Sequence, residues 1–399
     1  MARVCLIRLK PYPEDARFIK EVDALIGAGH EVDVICGRRA GQPATERRGS
    51  LTVHRLPIAA SRGNPLRYVA QYAAFLAAAT ILVARLHLRR AFDVVQANSL
   101  PDVLVFAALV PKLLGARVVL QLLECMPEFM SLKYGLSLRH PIVGAVALVE
   151  RACIAFADRV ITCNDLMRER FAERGAPVEK IHVVMLSSDE SLFDPERARA
   201  STAKTDGTFL VTYHGTLEES LGADTLVRAA ALLRDEMPEL RVRVFGDGTL
   251  RDELLRIVND AGIEDRVTFS EGFVPLAELL DGLAAADAGA VPTKSNAMRE
   301  LTHSTKMFDL IAMRKPAIVA RTAAVEAYFD ESCLQLFTSD DPADLARAIR
   351  ELAADPERRA RMVRRAADVS EPYRWVHQRA RYLALVDDLA TRAERAVAA

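Results

Sequence analysis

The six cysteines (Cys5, Cys36, Cys125, Cys153, Cys163 and Cys333) are scattered through 399 residues with no pair at a metal-ligand spacing. That absence argues against a zinc site and a disulfide framework, and it fits a reducing cytoplasm. Cys5, Cys36 and Cys163 lie in or beside apolar runs and read as small core residues. The opening residues pass directly from a short strand-like run into Lys10-Pro11-Tyr12-Pro13, so no signal peptide is expected. There is no acidic metal motif and no internal repeat, and nothing points to nucleic acid as a partner.

Long hydrophobic runs are missing as well. The nearest, 68–84, has no charged residue, yet it holds Gln71 and Thr80, is dominated by alanine and falls short of a convincing span. Arg67 precedes it, and Arg85, Arg89 and Arg90 follow. Three readings stand: a packed interior helix, a helix partly turned to a membrane or acceptor, and a transmembrane helix. The formal net charge is only -1, but residues 1–200 carry +6 and the remainder -7. A basic first half suits an anionic membrane surface or an acidic acceptor, or it is ordinary surface variation between two domains.

What is present is an apolar content of 51% with interspersed charge, in a chain too long for one core. Short β-branched runs at 4–8, 31–36, 51–56, 93–96, 117–122 and 159–162 alternate with helical patterns over 16–28 and from Pro65, Pro101, Pro141 and Asp165. A second series has strands at 209–213, 241–245, 267–269, 288–291, 317–319 and 334–337, with helices at 223–234, 250–261, 276–286 and 305–313. This alternation predicts an α/β protein with mostly parallel, doubly wound sheets. The expected division is a first domain over 1–190 and a second over 191–372, with 187–206 as the connection. A final helix over 373–395 is expected to rejoin the first domain. Two such domains facing one another would enclose a cleft.

Ligands of such sheets bind beyond the C-terminal strand ends, which selects four loops in the second half. His214-Gly215-Thr216 offers a glycine for close backbone approach. Gly246-Asp247-Gly248 is a weak Gly-x-Gly, equally an ordinary turn, and lacks the fuller fingerprint of a nicotinamide-binding domain. Pro292-Thr293-Lys294 follows the next strand. The fourth loop runs from His303 into a helix start at Ser304, Thr305 and Lys306, with Asp309 three residues on. Lys306 and Asp309 share one helical face beside free backbone N–H groups. Lys306 suits diphosphate charge, Ser304 and Thr305 suit hydrogen bonding, and Asp309 suits ribose hydroxyls. The bland alternative is a Ser304 cap with a solvated lysine. His214 is either a site residue or a hydrogen-bonded structural histidine.

The first half holds another polar cluster, with Asn98 and Asp102 after one strand and Glu124 after the next. Glu124 sits among apolar neighbours, an expensive place for an unpaired carboxylate. It either orients a sugar or acceptor hydroxyl or forms a structural salt bridge with a base such as Arg17. Asn98 and Asp102 are weaker candidates, since Pro101-Asp102 also reads as first-turn helix chemistry.

Several motifs, in this order and spacing, resemble one family across nearly the whole chain. They are Gly29 to Ile35, Phe92 to Gln96, Ala157 to Thr162, Gly215-Thr216, Gly246-Asp247-Gly248, Ala286 to Pro292 and, most tellingly, Lys306 to Pro316. The chain resembles the retaining, nucleotide-sugar-dependent glycosyltransferases of family 4, whose GT-B fold has two facing Rossmann-like domains. The resemblance implies a donor nucleotide on the second domain and an acceptor on the first. It implies no metal or other cofactor, with a UDP, GDP or TDP sugar as co-substrate. Positioning and charge stabilisation would carry the chemistry, with Glu124, Lys306 and Asp309 as the central residues.

Departures from the family pattern matter. Its paired glutamates correspond to Leu301 and Asp309, with Glu300 one position away. Its diphosphate-gripping arginine and lysine correspond to Thr216 and Leu221, although some divergent branches also carry Gly-Thr there. A histidine that contacts the donor sugar in relatives corresponds to Leu123, which implies a deoxy or otherwise unusual donor, or a shifted pose. The expected acceptor is a lipid-linked saccharide or small molecule, handled in the cytoplasm or at the inner face of an acidic membrane. A nucleotide-sugar epimerase or hydrolase, and a catalytically degenerate partner protein, remain the alternatives.

Overall fold

The structure is a computed structural model that describes residues 1–58, 65–198 and 207–398. The chain forms two compact units: Met1–Leu186 with Val376–Ala399, and Ser187–Trp375. The first boundary thus falls four residues before the expected 190, and the connection 187–206 lies within the second unit. Its residues 199–206 lie outside the described ones.

The first unit is built on β1 (Arg3–Arg8), β2 (Glu31–Gly37), β3 (Thr45–Arg48), β4 (Leu51–Leu56), β5 (Val94–Asn98), β6 (Arg117–Leu122), β7 (Arg159–Thr162) and β8 (Ile181–Val183). They form one sheet in the order β3-β4-β2-β1-β5-β6-β7-β8. Every neighbouring pair is parallel except β3–β4. β1, β2 and β5 are buried almost throughout, which explains their nearly continuous apolar runs. The edge strands β3 and β8 carry no such signal and were not expected. β3 is a Thr-Glu-Arg-Arg edge held by side chains, with Glu46 accepting from Arg55 at 2.8 Å.

Five helical elements matter below: α1 (Ala16–Gly27), α2 (Pro65–Arg89), α3 (Leu109–Leu113), α4 (Met126–Tyr134) and α5 (Pro141–Phe156). Asp15 caps α1 by accepting from the amides of Arg17 and Phe18. The helix Trp375–Ala398 places Tyr382, Val386, Leu389 and Ala393 on one buried face, at the spacing of successive helical turns. Its Gln378 accepts from the Met185 amide at 2.8 Å, and its Tyr382 hydroxyl donates to Gln96 at 3.0 Å.

The second unit has β9 (Phe209–His214), β10 (Leu240–Phe245), β11 (Val267–Phe269), β12 (Ala288–Val291), β13 (Ala317–Ala320) and β14 (Gln335–Phe337). Its sheet is wholly parallel, ordered β11-β10-β9-β12-β13-β14. Strand order reverses between β9 and β12, so a crevice opens at their C-terminal ends. In the first unit the corresponding reversal lies between β1 and β5. These two edges are where the candidate chemistry collects.

Candidate active site

β9 ends on His214, which is buried, and the helix Thr305–Ala312 brings Asp309 to it. The His214 Nε2 and Asp309 Oδ2 atoms lie 3.2 Å apart. The histidine is therefore hydrogen-bonded, and its partner is the very carboxylate expected to read a ribose. One oxygen of Asp309 is thereby oriented by the protein. Neither the pairing nor the closeness could be read from positions 95 residues apart.

Lys306 sits on the same helix one turn earlier. Its Nζ lies 5.3 Å from the centre of the Tyr213 ring, over its face. Protein atoms surround it on nearly every side, although its accessible surface is only half-buried. Burial foremost, then the Arg299 charge, pushes its ammonium down to about 8 against the pull of Asp309. Arg299 acts on Tyr213 as well. Arg299 could not be read from the sequence because it stands before the helix Thr305–Ala312, in a turn whose path local spacing does not fix. Two cations converging on one strand end make a site that favours an anion.

The glycines serve this arrangement in a way the sequence did not suggest. Gly215, at φ +118°, was expected to admit a nucleotide, yet a Cβ there would collide with the Lys306 stem. The cleared space thus seats the lysine. Gly246, at φ +149°, would collide through a Cβ with the Gly215 carbonyl, and a Cβ on Gly248 would meet Leu217 backbone. Both residues therefore pack the β10 loop against the β9 loop rather than simply approaching a ligand. The Gly215 amide donates to the Phe245 carbonyl at 2.8 Å and the Leu217 amide to Asp247 at 2.9 Å, which ties the loops together.

Thr216 contributes its carbonyl to the Tyr213 hydroxyl at 2.7 Å. Pro292 is buried at the end of β12, and its carbonyl crowds against Gly222. Lys294, in the same loop, is tied to Asp224 at 2.8 Å and Asp340 at 3.2 Å, so it braces the loop. Ser304 occupies the N-cap position with an extended backbone, but its side chain makes no capping bond. The simple capping role is thus corrected, and its hydroxyl stands with Thr305 at the helix start beside Lys306. Glu300, the nearest carboxylate to the missing family glutamate, accepts from the Ala323 amide at 2.7 Å and from Ser295. It is committed to holding a neighbouring helix start, while Leu301 is buried.

In the first unit, Glu124 lines a cavity of about 420 Å³ at the β1/β5 reversal. Arg8, Lys10, Arg17 and Arg39 line it too, with Tyr72 and Leu123. Asn98 does not belong to this cavity. It is fully buried, donates to Glu21 at 3.0 Å and bonds Gln121, in a network that includes Gln96 and Tyr382. That network bonds β5 and β6 to α1 and the helix Trp375–Ala398. Asp102 is buried as well, and desolvation followed by the charges of Glu150 and Glu124 pushes its carboxyl well above 3.8. Asn98 and Asp102 are therefore core residues. All six cysteines are buried and free.

Residues 20–186 match the Glycosyl transferase 4-like domain, and residues 208–355 match Glycosyl transferases group 1. D-inositol 3-phosphate glycosyltransferase of Nocardia farcinica is 30% identical over 245 residues, which is 57% of this chain and 52% of that protein. The chain thus spans about half the length of the curated relatives it matches. Among solved structures, sucrose-phosphate synthase from Thermosynechococcus elongatus superposes with a TM-score of 0.79 at 18% identity, covering 98% of this chain and 99% of the other. Anabaena HepE in complex with UDP-glucose gives 0.73 at 16%, covering 97% and 100%. These two likenesses are of fold, which is GT-B. With both domain matches in chain order on that fold, the chain belongs to the family 4 glycosyltransferases.

Proposed function

We propose that the chain transfers a glycosyl group from a nucleoside-diphosphate sugar to an acceptor hydroxyl, with retention at the anomeric carbon. The observation that carries this is the His214–Asp309 pair beside Lys306 at the β9/β12 reversal. Asp309 accepts hydrogen bonds from the ribose, and Lys306, with Arg299 nearby, neutralises the diphosphate. The bond between the anomeric carbon and the diphosphate oxygen breaks, and one to the acceptor oxygen forms on the same face. The acceptor proton passes to the departing diphosphate. Positive charge held at the diphosphate is worth most where water is scarce, as around Lys306.

The first-unit cavity receives the acceptor, a lipid-linked saccharide or a small molecule, with Glu124 orienting its hydroxyl. Leu123 beside it disfavours a donor with a polar group at that point, since the group would lose its hydrogen bonds. The donor is thus a deoxy or otherwise unusual sugar. HepE, a neighbour in fold, holds UDP-glucose, which supports a nucleotide sugar as ligand class. The reading places the enzyme in the cytoplasm. A binding and mass-spectrometric turnover screen across UDP-, GDP- and TDP-sugars tests it. Failure of every nucleotide to bind the folded protein sinks the transferase reading. Turnover of the donor without acceptor points to an epimerase or hydrolase, and full turnover with UDP-glucose but none with deoxy donors removes the unusual-sugar reading.

A further inference from the structure

The helix α2 was expected foremost as a packed interior helix, and the structure corrects this. Only one stripe of it is buried, formed by Phe75, Ala79, Val83 and His87 at successive turns. The segment Arg67–Arg89 is apolar and long enough to cross a membrane by length and composition, yet 17% of its most apolar window is buried. Its outer face presents Ala70, Ala73, Ala74, Ala77, Ile81 and Leu88 to solvent. An amphipathic helix of a water-facing protein has a polar outer face, whereas the exposed residues of this one from Val69 to Ile81 are all apolar, with cations only toward its ends.

Neighbouring elements extend the same surface. α2 packs on α3 and on the 3-10 turn Asp102–Ala108, and α5 packs on that turn and on α4. α3 exposes Leu113 at 76%, and α5 exposes Ile142 and Leu148. Lys133 of α4 lies with its Nζ 4.6 Å from the centre of the Tyr68 ring of α2, closing the patch. A patch of this kind marks an interaction site on a monomer surface.

Charge identifies the occupant. The acidic side chains on these helical elements, Asp102, Glu128 and Glu150, are all buried. Glu128 and Glu150 are moreover ion-paired to Arg174. The exposed charges are cations: Arg67, Arg85, Arg89, Lys133, Arg139 and Arg151. Among the described residues none of the six has a carboxylate partner. Apolar side chains interleaved with cations, and with no exposed anion, match the headgroup boundary of an anionic bilayer. A second copy of this chain would instead bring the same cations together. The buried stripe ties α2 to its own unit, so it lies on the membrane rather than across it.

We propose that the face formed by α2 to α5 docks the protein on an anionic lipid bilayer. The acceptor cavity of the same unit takes Tyr72 from α2, so a lipid-linked acceptor would enter from that face. That last link rests on the transferase reading, whereas the docking itself does not.

The test is co-sedimentation of the full chain with vesicles of phosphatidylcholine, with and without phosphatidylglycerol. Partition onto the phosphatidylglycerol vesicles that weakens with salt is expected. At about 1 kcal/mol for each cation near the surface, Arg85→Gln with Arg89→Gln should lower it roughly thirtyfold. Ile81→Glu with Leu88→Glu should lower it at least as far, and both variants should keep wild-type circular dichroism and nucleotide affinity. The proposal fails if the wild type ignores phosphatidylglycerol, or if both variants partition like it. It fails equally if light scattering finds a dimer that Ile81→Glu dissolves, since a second copy would then cover the face. Loss of nucleotide binding would sink the transferase reading and leave the docking untouched.

Discussion

At Asp309 a single carboxylate has two partners to satisfy, His214 within the protein and a ribose in the proposed complex. Asp309→Ala should therefore weaken nucleoside-diphosphate binding by roughly ten- to hundredfold, the worth of a charged hydrogen bond. Glu124→Ala should leave that binding unchanged and lower transfer; calorimetry beside turnover separates the two, and equal nucleotide affinity in Asp309→Ala and wild type removes the assignment. Lys306 makes a sharper prediction because its ammonium is held near 8. An anionic diphosphate favours the charged lysine, so affinity should fall as pH rises above 8. Binding at pH 8.5 should take up protons, seen as a dependence of binding heat on the buffer's ionisation enthalpy. Lys306→Arg, charged throughout that range, should abolish the uptake. Asp102 is shifted the other way, upward, and bears on stability rather than binding. Its folded carboxyl titrates well above 3.8, so its contribution to stability is fully present below the unfolded value and is lost as pH rises. Asp102→Asn should flatten that decline in thermal melts above pH 4. Asp309 and Lys306 were legible as a spaced pair, but His214 as the partner and Arg299 as the second cation were not. Contacts across 95 residues leave no trace in local spacing.

At the scale of elements, the buried strands were legible and the polar edges were not. β1, β2 and β5 declared themselves by β-branched runs because both faces of a parallel sheet are covered. β3, with Thr45, Glu46, Arg47 and Arg48, is stabilised by ion pairs and a turn, so no hydrophobic period announces it. α2 misled for the opposite reason: apolar composition reports how much surface resists water, not what covers it. The helix Trp375–Ala398 shows what an element contributes once docked. Tyr382 is buried and bonded to Gln96, which itself bonds Glu21. Tyr382→Ala leaves a cavity beside an unsatisfied Gln96 side-chain oxygen and should cost the first unit about 3–5 kcal/mol, read from chemical denaturation. Tyr382→Phe should cost only about 1 kcal/mol, the hydrogen bond alone.

For the whole molecule, each unit has its own sheet and core, so unfolding should resolve two transitions. A nucleoside diphosphate at about a hundred times its dissociation constant should raise one of them by about 2.7 kcal/mol. Tyr382→Ala should lower the other, and scanning calorimetry of both distinguishes them; a single transition displaced by both changes would show that the units do not unfold independently. The alternation of runs and helices determined the α/β class, and the order of motifs determined the family. The sequence could do this because burial on a period, and a turn after each strand, are local properties. Strand order is not local. Only the folded chain placed β9 beside β12 and β1 beside β5, and so decided which loops share a crevice. It also decided that Gly215 makes room for a lysine and that Asn98 belongs to the core. The outward turn of α2 was settled there too, because exposure depends on which neighbours arrive, and no single segment contains them.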